Sequence, residues 1–267
     1  MSTYQDLLPV AIEAVSRAAL AMRQGSPGAL TLKGDRDVAS DLDFAIEREV
    51  RTFLAAETPE FGFLGEEEGN SGPAELRWVL DPIDGTANFL RRLPMCAVSL
   101  ALVHRENPVL GVIELPFLGS LYTAVESCGA QANGQRITVS RVNLLKDAIV
   151  AIGDYAVGAD AETKNALRLA LTAQLASRTQ RVRMTGSAAL DLAWLAEGRL
   201  DAALTLSNHI WDMASGVIIA REAGATVVDR RGVAHDSTSQ ETLAATPLLM
   251  PAILGLYQSA AGNATAN

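Results

Sequence analysis

A chain of 267 residues with 49% hydrophobic side chains holds enough apolar material for a sizeable core, in one large domain or two tightly packed ones. Its 31 acidic and 22 basic residues leave a formal charge of -9, which excludes a broad electrostatic hold on nucleic acid or on anionic lipid. An anionic substrate remains open to such a chain if a bound cation reverses the field locally.

The two cysteines, Cys96 and Cys128, lie far apart, so neither a disulfide framework nor a zinc cluster is expected and a reducing, cytoplasmic setting is the default. The stretch 1–6 is polar and acidic and lacks the basic-then-apolar order of a signal peptide. No apolar run approaches the roughly 20 residues of a membrane span, so no membrane partner is expected.

In chain order, residues 4–23 place Leu7, Leu8, Ala11, Ile12, Val15, Ala18, Ala19 and Met22 at helical spacing, and Gly25, Pro27 and Gly28 end that helix. The polar stretch 31–38, with Lys33 and Gly34, predicts an exposed loop or a mobile hairpin. Ser40, with Asp43 three residues later, reads as the capping box of a second helix over 41–56. The period then changes. Short apolar or alternating runs at 61–64, 77–80, 97–104, 109–115 and 121–125 predict strands, and Asn133-Gly134 predicts a tight hairpin.

Beyond about residue 147, strands (148–152, 181–184, 201–206, 226–229) alternate with helices (162–177, 188–197, 213–223, 248–260). Mixed sheets with helices packed between them follow. The chain divides into an α+β half over 1–145, an α/β half over 146–262, and a small polar tail over 263–267 expected to be disordered.

Acidic residues then stand where folding alone does not ask for them. Gly65-Glu66-Glu67-Glu68 follows an apolar strand; by itself such a run is most often a solvated loop. At 78–86 an apolar strand runs into Asp81, and Pro82 is expected to stop it from continuing. Asp81 and Asp84, three apart across a tight turn, can aim at one point together with the freed Ile83 carbonyl. Gly85-Thr86 opens a short helix, which Asp84 could instead simply cap. Asp212 stands where a loop meets a helix of small residues and could likewise serve as a cap.

Oxygen donors without Cys or His suit a hard cation such as magnesium or manganese. Carboxylates from separate segments could hold two ions that activate water and neutralise a phosphoryl group. Thr86 could orient the water and Asp43 accept the hydroxyl proton, or Asp43 could only cap its helix.

Residues 78–89 (WVLDPIDGTANF) and 211–225 (WDMASGVIIAREAGA) resemble the two signature motifs of the inositol monophosphatase family. Gly65-Glu66-Glu67 stands where that family has its GEE motif, and Gly186-Ser187-Ala188-Ala189 resembles a further element. Their order and spacing agree over roughly residues 5–258.

The resemblance implies an α/β fold, an αβαβα layered sandwich, and a homodimer with magnesium-dependent, lithium-sensitive phosphatase activity on a small phosphorylated metabolite. It implies two to three magnesium ions. Glu66, Asp81 and the Ile83 carbonyl would hold one, and Asp81, Asp84 and Asp212 a second. A third, weaker ion would rest on Glu66 and water, which places Glu66 among the catalytic groups. Asp43 and Thr86 would activate the water. The Gly85 and Thr86 amides would bind phosphate, and Asp84, Gly186, Ala188, Thr205 and Asp212 would face the substrate.

Thr205 departs from the pattern. Inositol-selective members carry a glutamate seven residues before the WD aspartate, where this chain has a shorter, uncharged threonine. That departure leaves the phosphatase chemistry intact but puts inositol selectivity in question; inositol monophosphate is still the first expectation. Fructose 1,6-bisphosphate, 3′-phosphoadenosine 5′-phosphate and histidinol phosphate are the alternatives under the same chemistry, and a catalytically idle binding protein on this fold is another. His209 invites a general-acid role, or is a pocket-wall or core histidine.

Overall fold

The computed structural model describes residues 4–34 and 38–265. Helix α1 (Leu8–Gln24) carries a proline in its first turn and buries Ala11, Ala14, Val15, Ala18, Ala19 and Met22 along one stripe. Strands β1 (Leu30–Leu32) and β2 (Val38–Ser40) pair antiparallel, so the 31–38 segment holds a hairpin; residues 35–37 lie outside the described residues. Helix α2 (Asp41–Glu57) opens on the predicted capping box, with the Ser40 hydroxyl and amide donating to Asp43 at 2.5 and 2.9 Å.

The larger sheet is made of β3 (Gly62–Gly65), β4 (Gly69–Ser71), β5 (Leu76–Asp84), β6 (Ala97–His104), β7 (Asn107–Leu115), β8 (Ser120–Val125), β9 (Gly129–Ala132) and β10 (Gln135–Ile137). Their order is β10-β9-β8-β7-β6-β5-β3-β4, antiparallel except between β3 and β5. Asn133 and Gly134 turn β9 into β10 with φ of 48° and 76°, the left-handed pair that a two-residue hairpin needs.

One expectation fails here in an informative way. The strand expected to stop at Pro82 continues to Asp84. Its register with β6 shifts between Asp81↔Ser99 and Asp84↔Ala97, so Pro82 and Ile83 fall within a bulge where the missing N–H of proline costs no ladder bond.

The alternation of β6 sets the layers. Val98, Leu100 and Leu102 enter the core beneath α1 and α2. The smaller Ala97, Ala101 and Val103 face the opposite side. There helix α6 (Ile210–Glu222) comes in close. A Cβ on Gly111 of β7 would stand 2.7 Å from the Ser215 carbonyl oxygen and 2.6 Å from Ile218 Cγ2.

The smaller sheet follows from β11 (Ile149–Ile152), β12 (Arg181–Arg183), β13 (Ala202–Thr205), β14 (Thr226–Val228) and β15 (Thr242–Ala245), in the order β12-β11-β13-β15-β14. β11 runs parallel to both its neighbours, and β15 runs antiparallel to both of its own. Neither β4 nor β15 was anticipated; both lack a long apolar alternation. Helices α5 (Ala188–Ala196) and α6 fill the space between the sheets, and α4 (Ala161–Arg178) and α7 (Met250–Thr265) cover the far face. The result is the expected αβαβα sandwich. α7 runs to Thr265, into the stretch expected to be disordered, and 266–267 lie outside the described residues. Among the described residues no helix is long and apolar enough to cross a membrane.

Candidate active site

The parallel pairing of β3 with β5 sets Gly65 beside Leu80, and the Glu66 amide donates to the Leu80 carbonyl at 3.3 Å. Glu66 and Asp81 therefore leave neighbouring strands at the same edge of the sheet. Ser99, opposite Asp81 on β6, pairs its hydroxyl with that of Ser215 at 2.5 Å and reaches the Trp211 carbonyl at 3.4 Å. These contacts seat the first turn of α6, with Asp212, over the same edge. The three acidic segments thus meet in one cavity of 250 Å³ walled by Glu66, Asp81, Ile83, Asp84, Asp212 and the Gly85–Ala87 turn. A larger apolar groove of 430 Å³ lies beyond Leu90, between Met22, Phe89, Leu93 and Phe117, and no acidic residue lines it.

Each acid has its own protein donor. Asp81 accepts the Ile83 amide at 3.0 Å. Asp212 is the third residue of α6 rather than its N-cap and accepts the His209 amide at 2.8 Å. Asp84 does not cap the short helix α3 (Thr86–Leu90) that follows it. It sits instead on the first turn of α5, accepting from the Ser187 hydroxyl at 2.5 Å and the Ala189 and Ala188 amides at 2.8 and 3.3 Å. The sequence named Ala188 as a substrate contact; here its amide serves Asp84.

Gly85 (φ 87°) and Gly186 (φ 78°) bring the turn before α3 against the turn before α5. A Cβ on Gly85 would lie 3.0 Å from the Gly186 carbonyl oxygen. Asn88 joins them further, its amide donating to the Met95 and Thr185 carbonyls at 2.7 Å each. The Thr86 hydroxyl lies 3.0 Å from the Ile83 carbonyl and 3.3 Å from Asp43 Oδ1, two acceptors for one proton. The Asp43 side chain caps α2 and at the same time faces the Thr86 hydroxyl, so the cap does not preclude the contact.

Crowded, buried acids raise one another. Burial, followed by the charges of Glu66, Asp84 and Asp212, holds the Asp81 carboxyl well above the usual range. Burial pushes Asp84 up to about 6 against the pull of its Ser187, Ala189 and Ala188 donors. Burial, with the charges of Asp84 and Glu66, brings Asp212 to about 7. Asp43 is raised mainly by burial.

Two residues to which the sequence assigns no site role, Lys33 and Glu67, belong here. The Lys33 ammonium, on the β1–β2 hairpin, contacts Glu66 at 2.6 Å and Glu67 at 2.7 Å. Burial lowers its pKa, but those two carboxylates outweigh burial and hold it above the ordinary lysine range. Burial lifts Glu67 to about 7. Glu67 stands in the GEE run without a stated role, and only the spatial return of the hairpin marks Lys33.

Thr205 ends β13, pairs with Thr242 and stands outside the cavity wall, as does Gly186. His209 is neither a core residue nor part of that wall. It is exposed, caps α6, and stacks on Trp211 with ring centroids 4.7 Å apart.

The donor set fits a hard divalent cation. Glu66, Asp81, Asp84, Asp212 and the Ile83 carbonyl all present oxygen at one cavity wall that, among the described residues, holds no cysteine or histidine, and burial followed by mutual repulsion raises Asp81 and Asp212. Among the described residues no group of three acidic, histidine or cysteine side chains stands ready-made around one point, and each acid is turned to a donor of the protein itself.

The model of the inositol monophosphatase family matches residues 3–261. Inositol-1-monophosphatase ImpA of Mycolicibacterium smegmatis is 36% identical over 85% of this chain and 82% of its own. The Nus factor SuhB of Xylella fastidiosa is 36% identical over 75% of this chain and 72% of its own. Among solved structures, the extragenic suppressor protein suhB from Bartonella henselae superposes with a TM-score of 0.89 at 31% identity, covering 95% of this chain and 98% of that one. Thermotoga maritima IMPase does so with a TM-score of 0.89 at 28% identity, covering 97% and 100%. Fold, site and relatives together define a phosphoric monoester hydrolase of the layered-sandwich class. More particularly, the chain belongs to the inositol monophosphatase family.

Proposed function

We propose that this enzyme hydrolyses a small phosphate monoester with magnesium, and that inositol monophosphate comes first among its substrates. The observation that carries the reading is the meeting of Glu66, Asp81, Asp84 and Asp212 at one cavity edge beside the Thr86–Asp43 pair. Glu66, Asp81, Asp84, Asp212 and the Ile83 carbonyl are the groups that would hold two to three ions. Bound magnesium would supply positive charge to the phosphoryl oxygens and make water more acidic.

The chain's own groups do the rest. Asp43 accepts a hydrogen bond from the Thr86 hydroxyl, which turns an oxygen lone pair of Thr86 toward the attacking water to accept its hydrogen bond. The Gly85 and Thr86 amides, at the head of α3, face the phosphate. Asp84 is held by α5 so that its position does not depend on substrate. The cavity of 250 Å³ suits a small metabolite.

Fructose 1,6-bisphosphate, 3′-phosphoadenosine 5′-phosphate and histidinol phosphate remain the alternative substrates, since Thr205 lacks the carboxylate of inositol-selective members. A purely regulatory role, which the Nus factor name of one relative brings to mind, has the complete acid set against it. A homodimer, lithium sensitivity and a cytoplasmic setting belong to the same reading; the free Cys96 and Cys128 accord with the last.

The test is phosphate release from a panel of these substrates and glycerol 2-phosphate, at millimolar magnesium with and without chelator. Chelator-sensitive turnover of one substrate well above the rest supports the reading and names the branch. Turnover that survives the chelator overturns the metal dependence.

A further inference from the structure

We propose that Glu47 is a positioning residue for the cation site, one that sets the turn carrying Glu66 from the buried face of α2. The inference rests on the metal-site reading above.

Glu47 is fully buried, one helical turn beyond Asp43 on the same face of α2. A carboxylate taken wholly out of water persists only when it is paired and hydrogen-bonded. Glu47 has both. Arg51, one further turn along, donates to its Oε1 at 2.7 Å and supplies the counter-charge. The other two donors are backbone amides, Glu67 N to Oε2 at 2.8 Å and Glu68 N to Oε1 at 3.0 Å. These are the two residues directly after Glu66. One side chain thus grips the two successive peptide units that follow Glu66, through charge-assisted bonds that are stronger than neutral ones.

The glycine before Glu66 shows how tightly the grip is built. A Cβ on Gly65 would lie 2.1 Å from Glu47 Cδ and 2.2 and 2.3 Å from its two oxygens. The carboxylate passes over the bare face of Gly65 to reach the amides beyond it. Arg51 extends the hold by donating to the Gly69 carbonyl at 2.9 Å and the Ser71 hydroxyl at 2.8 Å. Asp43 and Glu47 therefore make α2 a single rigid bar, with one turn addressing Thr86 and the next addressing the Glu66 segment. Groups that orient metal ligands from outside typically change metal affinity by about 10–100-fold when altered.

The test uses Glu47→Gln in the full chain. Glutamine keeps the volume but turns an NH₂ donor toward one of the two amide donors. Manganese is titrated calorimetrically into the folded, metal-free protein, beside a thermal melt and the split of kcat from the magnesium half-saturation. The expected result is manganese affinity about 10–100-fold weaker, with kcat at saturating magnesium falling far less than affinity. Gly65→Ala pushes the carboxylate aside without removing it. It should weaken binding in the same direction and carries the test should Glu47→Gln not fold. A lowered melting temperature with manganese affinity equal to the parent in both variants overturns the positioning role alone. A parent chain that binds no manganese overturns the metal-site reading and this role with it.

Discussion

Ser187 and Asp84 meet across the junction of the large sheet and the middle helical layer. The Ser187 hydroxyl donates to Asp84 at 2.5 Å, and its oxygen accepts the Leu190 amide at 3.2 Å. One serine therefore caps α5 and anchors a candidate metal ligand. Ser187→Ala should lower stability by about 1 kcal/mol through the lost cap and raise the magnesium needed for half-maximal turnover. Melting curves and a magnesium titration check this; a variant melting with the parent would remove the capping role.

Asp212→Asn keeps an oxygen to accept the His209 amide, so α6 retains its first turn. What it loses is the charge offered to the cation. The expected outcome is an unchanged circular dichroism spectrum and turnover lower by orders of magnitude. Normal turnover would take Asp212 out of the metal set.

The Thr86 hydroxyl faces Asp43 and the Ile83 carbonyl at once. Thr86→Ala should reduce kcat by about 10²–10⁴-fold, the usual contribution of proton transfer at a positioned group. Thr86→Ser, which keeps the oxygen, should recover most of that loss. If serine is as poor as alanine, the methyl packing matters and the hydroxyl does not.

The raised acids give the metal-free chain a characteristic pH response. Asp84 sits at about 6, Glu67 and Asp212 at about 7, and Asp191 at about 8, the last chiefly through burial. Unfolded carboxyls titrate near 4, so the folded chain holds protons that the unfolded one releases. The stability from these groups is complete below about pH 4 and is lost as pH rises through 6 to 8. In chelator the melting temperature should drift down over that window. Added magnesium, which favours the ionised forms, should flatten the drift. A metal-free melting temperature that rises across the same window would contradict the raised values.

Gly111 lets α6 lie against the large sheet. In Gly111→Ala the new Cβ meets Ser215 backbone atoms at 2.7 and 3.0 Å, which cannot rotate away as a side chain could. The variant should lose about 1–3 kcal/mol, as overpacked sites do, and turn over more slowly because Asp212 rides on α6. Denaturant unfolding and kcat would both move; stability that falls while kcat stays fixed would uncouple the helix position from the site.

The sequence made local signals legible and long-range ones not. The Ser40–Asp43 box, the Asn133-Gly134 turn and the Asp81-Pro82-Ile83-Asp84-Gly85-Thr86 run are read within a few residues, and the structure holds each. The family motifs added Glu66 and Asp212, which no local rule joins. Glu47 and Lys33 carry no local signal because their partners lie 20 or more residues away: Glu67 and Glu68 for one, Glu66 and Glu67 for the other. Pro82 misled in the opposite sense. The rule that proline ends a strand is sound, but a bulge satisfies it without ending β5.

The layering also bears on when this chain becomes able to bind an ion as it is made. β3 and β5 leave the ribosome early, with Glu66, Asp81 and Asp84 already at their ends. α5, which anchors Asp84, and α6, which brings Asp212, are synthesised only after the whole large sheet. A ligand that binds only the finished arrangement stabilises only that arrangement. On the proposed magnesium site, the ion should therefore favour the folded chain over its partly synthesised precursors, and a fragment ending before α6 should gain nothing from it.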